Sequence, residues 1–277
     1  MTKFLDVSGA ESKIAWASEV LERSLRNYDI WCKSNLVVTS LVDPEKIFQK
    51  WVLHVKSLPP FDVILGFGDT LSNARSALDY LAWEIFVTGG GDPSSKEARF
   101  IYFPIASNSV DFNKQRKSKL KGAWSEAVEL TRSLQDYAVG LPNYRALQGL
   151  ESLCNSQKHR ALHFAAVSPE FETSYQKGHW PVADGELLVL DYTALENVPL
   201  YPNVTMTLAR YWIQDEEDKL NESPLRRQAG VDYPSIEPPT RYVSITDGEQ
   251  WIHVHQLAEL VMRVRDIVSE FARLPIP

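Results

Sequence analysis

Cysteine is nearly absent: the 277-residue chain holds two, Cys32 and Cys154. Two thiols cannot staple a chain of this length, and neither has a CxxC neighbour. A disulfide scaffold is thereby excluded, and the expectation is reduced thiols in a cytoplasmic protein. Long apolar runs are missing too. No segment approaches the roughly 18 uninterrupted apolar residues of a membrane span, so no membrane partner is expected. The opening MTKFLDVSGAESK lacks the apolar core of a secretory signal. Positive charge is not in excess: 29 Lys and Arg stand against 36 Asp and Glu, a net charge of −7. A general polyanion coat is therefore excluded, and any nucleic-acid contact must come from a local basic patch. The phosphate-binding patterns GxGxxG and GxxxxGK[ST] and the nucleophile pattern GxSxG do not occur. Gly66-Phe67-Gly68 lies at the start of a predicted helix and lacks the lysine of a phosphate loop. No cofactor is expected.

What is present is ordinary globular material. Hydrophobic residues make up 44% and charged residues 23%, which excludes wholesale disorder. Eight Trp, eleven Tyr and eleven Phe supply a sizeable core. The first half reads as helical. Ile14, Ala17, Leu21, Leu25 and Tyr28 share one face of a helix over 11–32. The β-branched stretch 35–42 suits a short strand or a turn. Asp43-Pro44-Glu45 reads as a helix start, with Ile47, Phe48, Trp51, Val52 and Val55 as its stripe and Pro59-Pro60 as its stop. The strongest helix spans 62–87, closed by Gly89-Gly90-Gly91-Asp92-Pro93. A loop or short strand is expected over 100–105. Helices are expected over 122–138 and 143–164.

After about residue 167 the pattern turns strand-like, over 186–192, 204–212 and 241–246, with a polar, loop-like segment over 215–240. A last helix over 250–274 carries a long apolar stripe that must be buried. The expected fold class is α+β, mainly α: a helical bundle, a small antiparallel β-sheet in the C-terminal half, and a closing C-terminal helix. The expected segments are 1–166, 167–249 and 250–277, integrated as one domain, with the last helix packing back on the bundle.

Two polar constellations stand out. On the 62–87 helix, Asp69, Asn73, Ser76 and Tyr80 lie within about 60° of one another at 100° per residue. Asn and Ser suit a helix interior poorly unless their side chains bond something. A solvated face usually carries Lys and Glu four apart; this one carries almost none. Either it faces solvent, or it marks a helix contact or a binding site. The second constellation is Asn155-Ser156-Gln157-Lys158-His159-Arg160, where Glu151, Asn155 and His159 stand at four-residue intervals. The helix dipole accounts for Lys158 and Arg160 near a C-terminus. A third feature is the basic run 114–121, which places five cations, Lys117 and Lys119 among them, in eight residues. It reads as a mobile solvated loop or a phosphate contact. Histidines four apart (His159, His163) and two apart (His253, His255) fit zinc spacings in isolation, but HExxH is absent and no metal ligand is assigned.

Asn73-Ala74-Arg75-Ser76-Ala77-Leu78-Asp79-Tyr80-Leu81 resembles the NLRSALDHL helix of a group of uncharacterised, mostly actinobacterial proteins. Asn155 to Arg160 is similar to that group's NxDKHR string, and Phe103-Pro104-Ile105 to its FPI. The similarity spans most of the chain and implies the architecture, with no reaction attached. Arg followed by His within a helical bundle is also similar to HEPN domains, many of which are RNA-cutting toxins or defence nucleases that act as dimers. Here Tyr80 stands at the His position, and an ion pair of Arg75 with Asp79 would account for both of those residues.

The HEPN resemblance implies an RNA-directed protein that binds RNA or cleaves it without a metal, in bacterial defence or a toxin–antitoxin pair. Its catalytic candidates are His159 as base, Arg75 and Lys158 as cations and Tyr80 as hydrogen-bond donor. Binding candidates are Asn73, Ser76, Asn155, Arg160, Lys117 and Lys119. The alternative is a non-catalytic ligand- or protein-interaction module whose polar stripe is a structural buried network. RNA, a homodimer or a partner protein are the partners these readings imply.

Overall fold

The stripe predicted over 62–87 becomes α2, Phe61–Thr88, in a computed structural model of the chain. The model describes residues 3–42, 48–139, 146–159, 163–166, 177–183, 186–191, 198–199, 204–215, 243–246, 251–254 and 256–277. Val63, Phe67, Leu71, Ala74, Leu78, Leu81 and Ile85 recur every three or four residues on α2 and are all buried. The helix stops where Gly90 adopts a left-handed φ of 85° and the Gly91 N–H donates to Phe86 O at 2.8 Å. Before it lies α1, Ser8–Asn35, whose first N–H is accepted by Asp6 Oδ1 at 2.9 Å.

Chain contacts divide the protein into two units. The helical unit comprises Met1–Asn27, Phe61–Leu162 and Glu249–Pro277. After α2 come a 3₁₀ turn at Ala98–Phe100, α3 (Ser109–Lys119), α4 (Ser125–Ser133), α5 (Asp136–Val139) and α6 (Ala146–His159). The closing helix is α7, Gln256–Ala272. Helix α2 packs against α6 and α7. Leu257, Leu260, Val264, Ile267 and Phe271 of α7 are buried, so its long apolar stripe is covered within this unit. The ends of the unit are tied together: Leu5 N–H donates to Leu274 O at 3.2 Å, and Ile276 N–H to Lys3 O at 3.1 Å.

The second unit, Tyr28–Pro60 and His163–Gly248, is the sheet unit. Its strands are β1 (Leu36–Val42), β2 (Phe48–Val55), β3 (His163–Ala166), β4 (Lys177–Ala183), β5 (Glu186–Asp191), β6 (Val198–Pro199), β7 (Val204–Asp215) and β8 (Val243–Thr246). One antiparallel sheet has the order β1-β2-β7-β5-β4. Separately, β3 pairs antiparallel with β6 and with β8. A short β9, Trp251–His253, precedes α7.

A mainly helical α+β protein with an antiparallel sheet is what the chain forms, but the sheet is not confined to the C-terminal half. Residues 48–55, expected as a helix, are β2, paired with β1 from Leu36 opposite Val55 to Val42 opposite Gln49. The false helical period has a physical source: a register shift between Trp51 and Val52 against β7 breaks the alternation of a regular strand. Residues 28–60 thus group with the strands rather than with the bundle. Two further corrections concern helices. The basic run is mostly α3, not a loop, started by Asn108, whose side chain accepts the Asp111 N–H at 2.9 Å. The helix expected to reach 164 ends at His159, and His163–Ala166 is a strand. The proposed helix start at 43–45 and the linker at 140–142 lie outside the described residues.

Neither cysteine forms a disulfide, and burial pushes the Cys32 thiol up to about 11. Among the described residues no helix is long and apolar enough to cross a membrane.

Helices α1 and α2 approach closely at Gly66. A Cβ there would lie 1.9 Å from Ser24 Oγ and 3.1 Å from Ser24 Cβ. In an exposed helix Gly→Ala stabilises by about 1 kcal/mol. Here we expect Gly66→Ala to destabilise by about 1–3 kcal/mol through overpacking, and Ser24→Gly added to it to recover most of the loss. Urea denaturation midpoints check both. A stabilised single variant would refute the close approach.

Candidate functional site

The candidate site is built around a stretch with no secondary structure at all. Residues 101–106, Ile101-Tyr102-Phe103-Pro104-Ile105-Ala106, lie in no helix or strand, and all but Tyr102 are buried. Buried backbone groups need partners. Here the partners are side chains projecting from helices. Phe103 N–H donates to Asp79 Oδ1 at 3.0 Å, and Arg75 Nη2 donates to Phe103 O at 2.9 Å. Gln135 accepts the Ala106 N–H at 2.8 Å and donates to Pro104 O at 3.0 Å. Gln115 donates to Ile105 O at 2.8 Å, and Gln148 to Ala106 O at 3.4 Å. The Phe103 ring meets Phe271 of α7 edge-on, centroids 6.3 Å apart.

Arg75 reaches the carbonyl of Phe103 and Asp79 its amide because the two sit four apart on one side of α2. They also pair with each other, Nη2 to Oδ1 at 3.0 Å, with the Arg75 side chain only 12% exposed. Its Nη1 is buried with no hydrogen-bond partner among the described residues. Beside the pair lies Lys119 of α3, whose Nζ donates to Gln115 Oε1 at 2.7 Å and stands 4.0 Å from Glu151 Oε1 of α6. Burial pulls the Lys119 ammonium below the usual lysine range, and Arg75 adds to this, while Glu151, Asp79 and Asp111 oppose it. Asp136 extends the network: its Oδ2 accepts the N–H groups of Leu147 and Gln148 at 2.9 and 3.2 Å, in the first turn of α6. A carboxylate there meets the positive end of the helix dipole.

The sequence-derived candidates fall into several places. Arg75 and Lys119 come together, joined by Asp79 and Glu151. Tyr80 is elsewhere: its ring lies over Gly9, where an added Cβ would meet Cδ1 at 2.6 Å. Asn73 faces α1 as well, accepting from Lys13 Nζ at 3.4 Å while its own amide donates to Asp69 O at 2.8 Å. Ser76 Oγ donates to Ser72 O, one turn back on its own helix. Asn155 and Lys117 are exposed, on α6 and α3. The side chains of Lys158 and His159, and all of Arg160, lie outside the described residues.

Gln135, Gln115, Gln148 and Asp136 were not among the sequence candidates. Glutamine is a common helix residue, so nothing in its local pattern marks it as a backbone partner. The available signal was indirect: an apolar stretch containing Pro104, with no strand to pair it, must find its hydrogen bonds among side chains.

Chemically, this arrangement binds peptide groups and balances charge. Compared with known proteins, the chain matches no family model, no curated protein and no solved structure. Its function is therefore read from geometry alone.

We expect Gln135→Leu, similar in size but without polar atoms, to cost about 2–4 kcal/mol, because the Ala106 N–H and Pro104 O lose their partner in a buried place. A double-mutant cycle of Arg75→Met and Asp79→Leu should give a coupling of about 1–3 kcal/mol. Urea denaturation measures both. Additive effects of the pair would refute a shared clamp.

Proposed function

We propose that this chain is a non-catalytic interaction protein of the cytoplasm, in which the Arg75–Asp79 network is architectural and the outward face of α2 is the working surface. The observation that carries this reading is the double engagement of Phe103 by Arg75 and Asp79. A guanidinium already bound to a carbonyl and a carboxylate in a largely buried place is poorly available to a phosphate. Tyr80, the residue at the HEPN histidine position, packs over Gly9 rather than beside Arg75. A tyrosine side chain is in general a weak base near neutral pH.

The experiment is incubation of the full chain with labelled RNA, with and without EDTA, beside His159→Ala. This reading expects intact RNA in every lane. Cleavage that survives EDTA and disappears in His159→Ala would overturn it and favour the metal-independent ribonuclease.

A second reading, an RNA-binding protein of the HEPN-like kind, has one supporting observation. Lys114, Arg116, Lys117 and Lys121 are all exposed on or just after α3. Each phosphate neutralised would release counterions, so binding would weaken steeply with salt. Under this reading a gel shift with single-stranded RNA at low salt is lost in Lys114→Glu/Lys117→Glu. No shift of the parent chain at low salt would remove this reading.

A further inference from the structure

Going beyond the α2 surface, we propose that the exposed face of α3 is a second docking site and that its occupant is an acidic, amphipathic segment of a partner protein. From Phe112 to Lys121 the sequence carries five cations, Lys114, Arg116, Lys117, Lys119 and Lys121, and no carboxylate. That segregation occurs in a chain whose net charge is −7. Lys114 and Lys117 are three apart on the helix, as are Arg116 and Lys119, so like charges are neighbours and repel. The helix dipole favours the cations of the last turn, Arg116, Lys117 and Lys119, but leaves that repulsion in place.

Two of the five are answered within the chain. Lys119 Nζ stands 4.0 Å from Glu151 Oε1, and Lys121 Nζ 3.1 Å from Glu97 Oε1. Lys114, Arg116 and Lys117 are exposed, and their side chains make no ion pair or hydrogen bond among the described residues. The acid of α3, Asp111, is engaged at the helix start, where Oδ2 accepts the Ser107 N–H at 3.1 Å and the Gln115 amide at 3.0 Å. Only Phe112 of α3 is buried, so most of its circumference is turned outward. A helix polar nearly all round is ordinarily held by opposite charges four apart; the ion pair of α3 goes instead to another helix, α6.

The unanswered charge calls for carboxylates or phosphates, and three features favour a peptide over a nucleic acid. No aromatic residue is exposed on α3, so none of its rings can stack a base. Two of the three unpaired cations are lysines, point charges that suit single carboxylates, whereas the forked grip on phosphate belongs to arginine. Val110, 78% exposed, stands one turn before Lys114. At 100° per residue Val110, Lys114 and Lys117 fall within about 60° of one another. An apolar side chain of a peptide uses such a valine; a phosphate backbone does not. A partner helix with one apolar residue and carboxylates at the same three- and four-residue steps matches this row over about 10 Å. So short a contact belongs to the weak, reversible class.

Fluorescence anisotropy of the full chain tests this with a fluorescein-labelled peptide of about twelve residues, carrying leucine and glutamates at those steps. It is titrated up to about 1 mM chain, the range of a weak contact. The glutamate peptide should bind, more weakly as salt rises, and its glutamine counterpart should not. Lys114→Glu/Lys117→Glu, at two exposed positions, should abolish binding with an unchanged melting temperature. Val110→Ser should weaken the peptide by about threefold to tenfold. No binding of the glutamate peptide overturns the proposal, as does binding that survives the charge reversal or is unchanged in Val110→Ser. An oligouridylate of equal charge that binds as tightly as the peptide, or more tightly, overturns it in favour of the nucleic-acid reading of α3. None of these outcomes bears on the α2 surface, so failure here and failure of the interaction reading in the RNA cleavage assay are distinguishable.

Discussion

Six residues without a ladder, five of them buried, set the terms for the helical unit. Residues 101–106 pass through the interior as extended chain, where an unpartnered peptide group costs about 1–3 kcal/mol. A neighbouring strand would ordinarily meet that demand. Here helices surround the segment, and helices have no spare backbone groups along their length. The demand is met by side chains long enough to reach in: Arg75 and Asp79 from α2, Gln115 from α3, Gln135 after α4 and Gln148 from α6. Because each partner comes from a different place in the chain, the segment fixes the helices relative to one another as much as they fix it. Phe103 adds the closing helix through its contact with Phe271.

Helix α2 can be understood as four faces with four tasks. One is apolar and buried among α6 and α7. A second presents Arg75 and Asp79 to the extended segment. A third meets α1, so closely at Gly66 that a methyl group would strike Ser24. The fourth is turned outward and leaves Phe61, Leu65 and Val87 exposed. The same helix therefore organises the unit and offers exposed apolar side chains, which is why the interaction reading centres on it. The clamp also redirects the meaning of the RSALDY string: its arginine and aspartate act on a peptide group of the same chain, and its tyrosine is turned to another helix.

Much of this was readable from residue order, and the failures have identifiable causes. Helices α1, α2 and α7 follow from apolar spacing alone, because each buries one continuous stripe. The strands β5, β7 and β8 follow from alternation and β-branching. Strand β2 misled because its register shift at Trp51 and Val52 imitates a helical period, and because its partner β7 is more than 150 residues away in the sequence. The basic run misled because charge density says nothing about backbone; the cap at Asn108 was the better guide. The Arg75–Asp79 pair was visible as a four-residue spacing, but its target was not. Which peptide group a buried side chain will bind depends on tertiary packing, and no local pattern encodes that. The glutamines were invisible for the same reason.

The most direct test of the central claim is native-state hydrogen exchange at two amides, Phe103 and Ala106. If side chains replace a ladder, both should exchange only through global unfolding, as slowly as amides in the middle of α2. Asp79→Ala should then release Phe103 while leaving Ala106 protected, since Ala106 is held by Gln135. Rapid exchange at Phe103 and Ala106 in the parent protein would contradict the account, because it would mean that the extended segment is neither clamped nor buried.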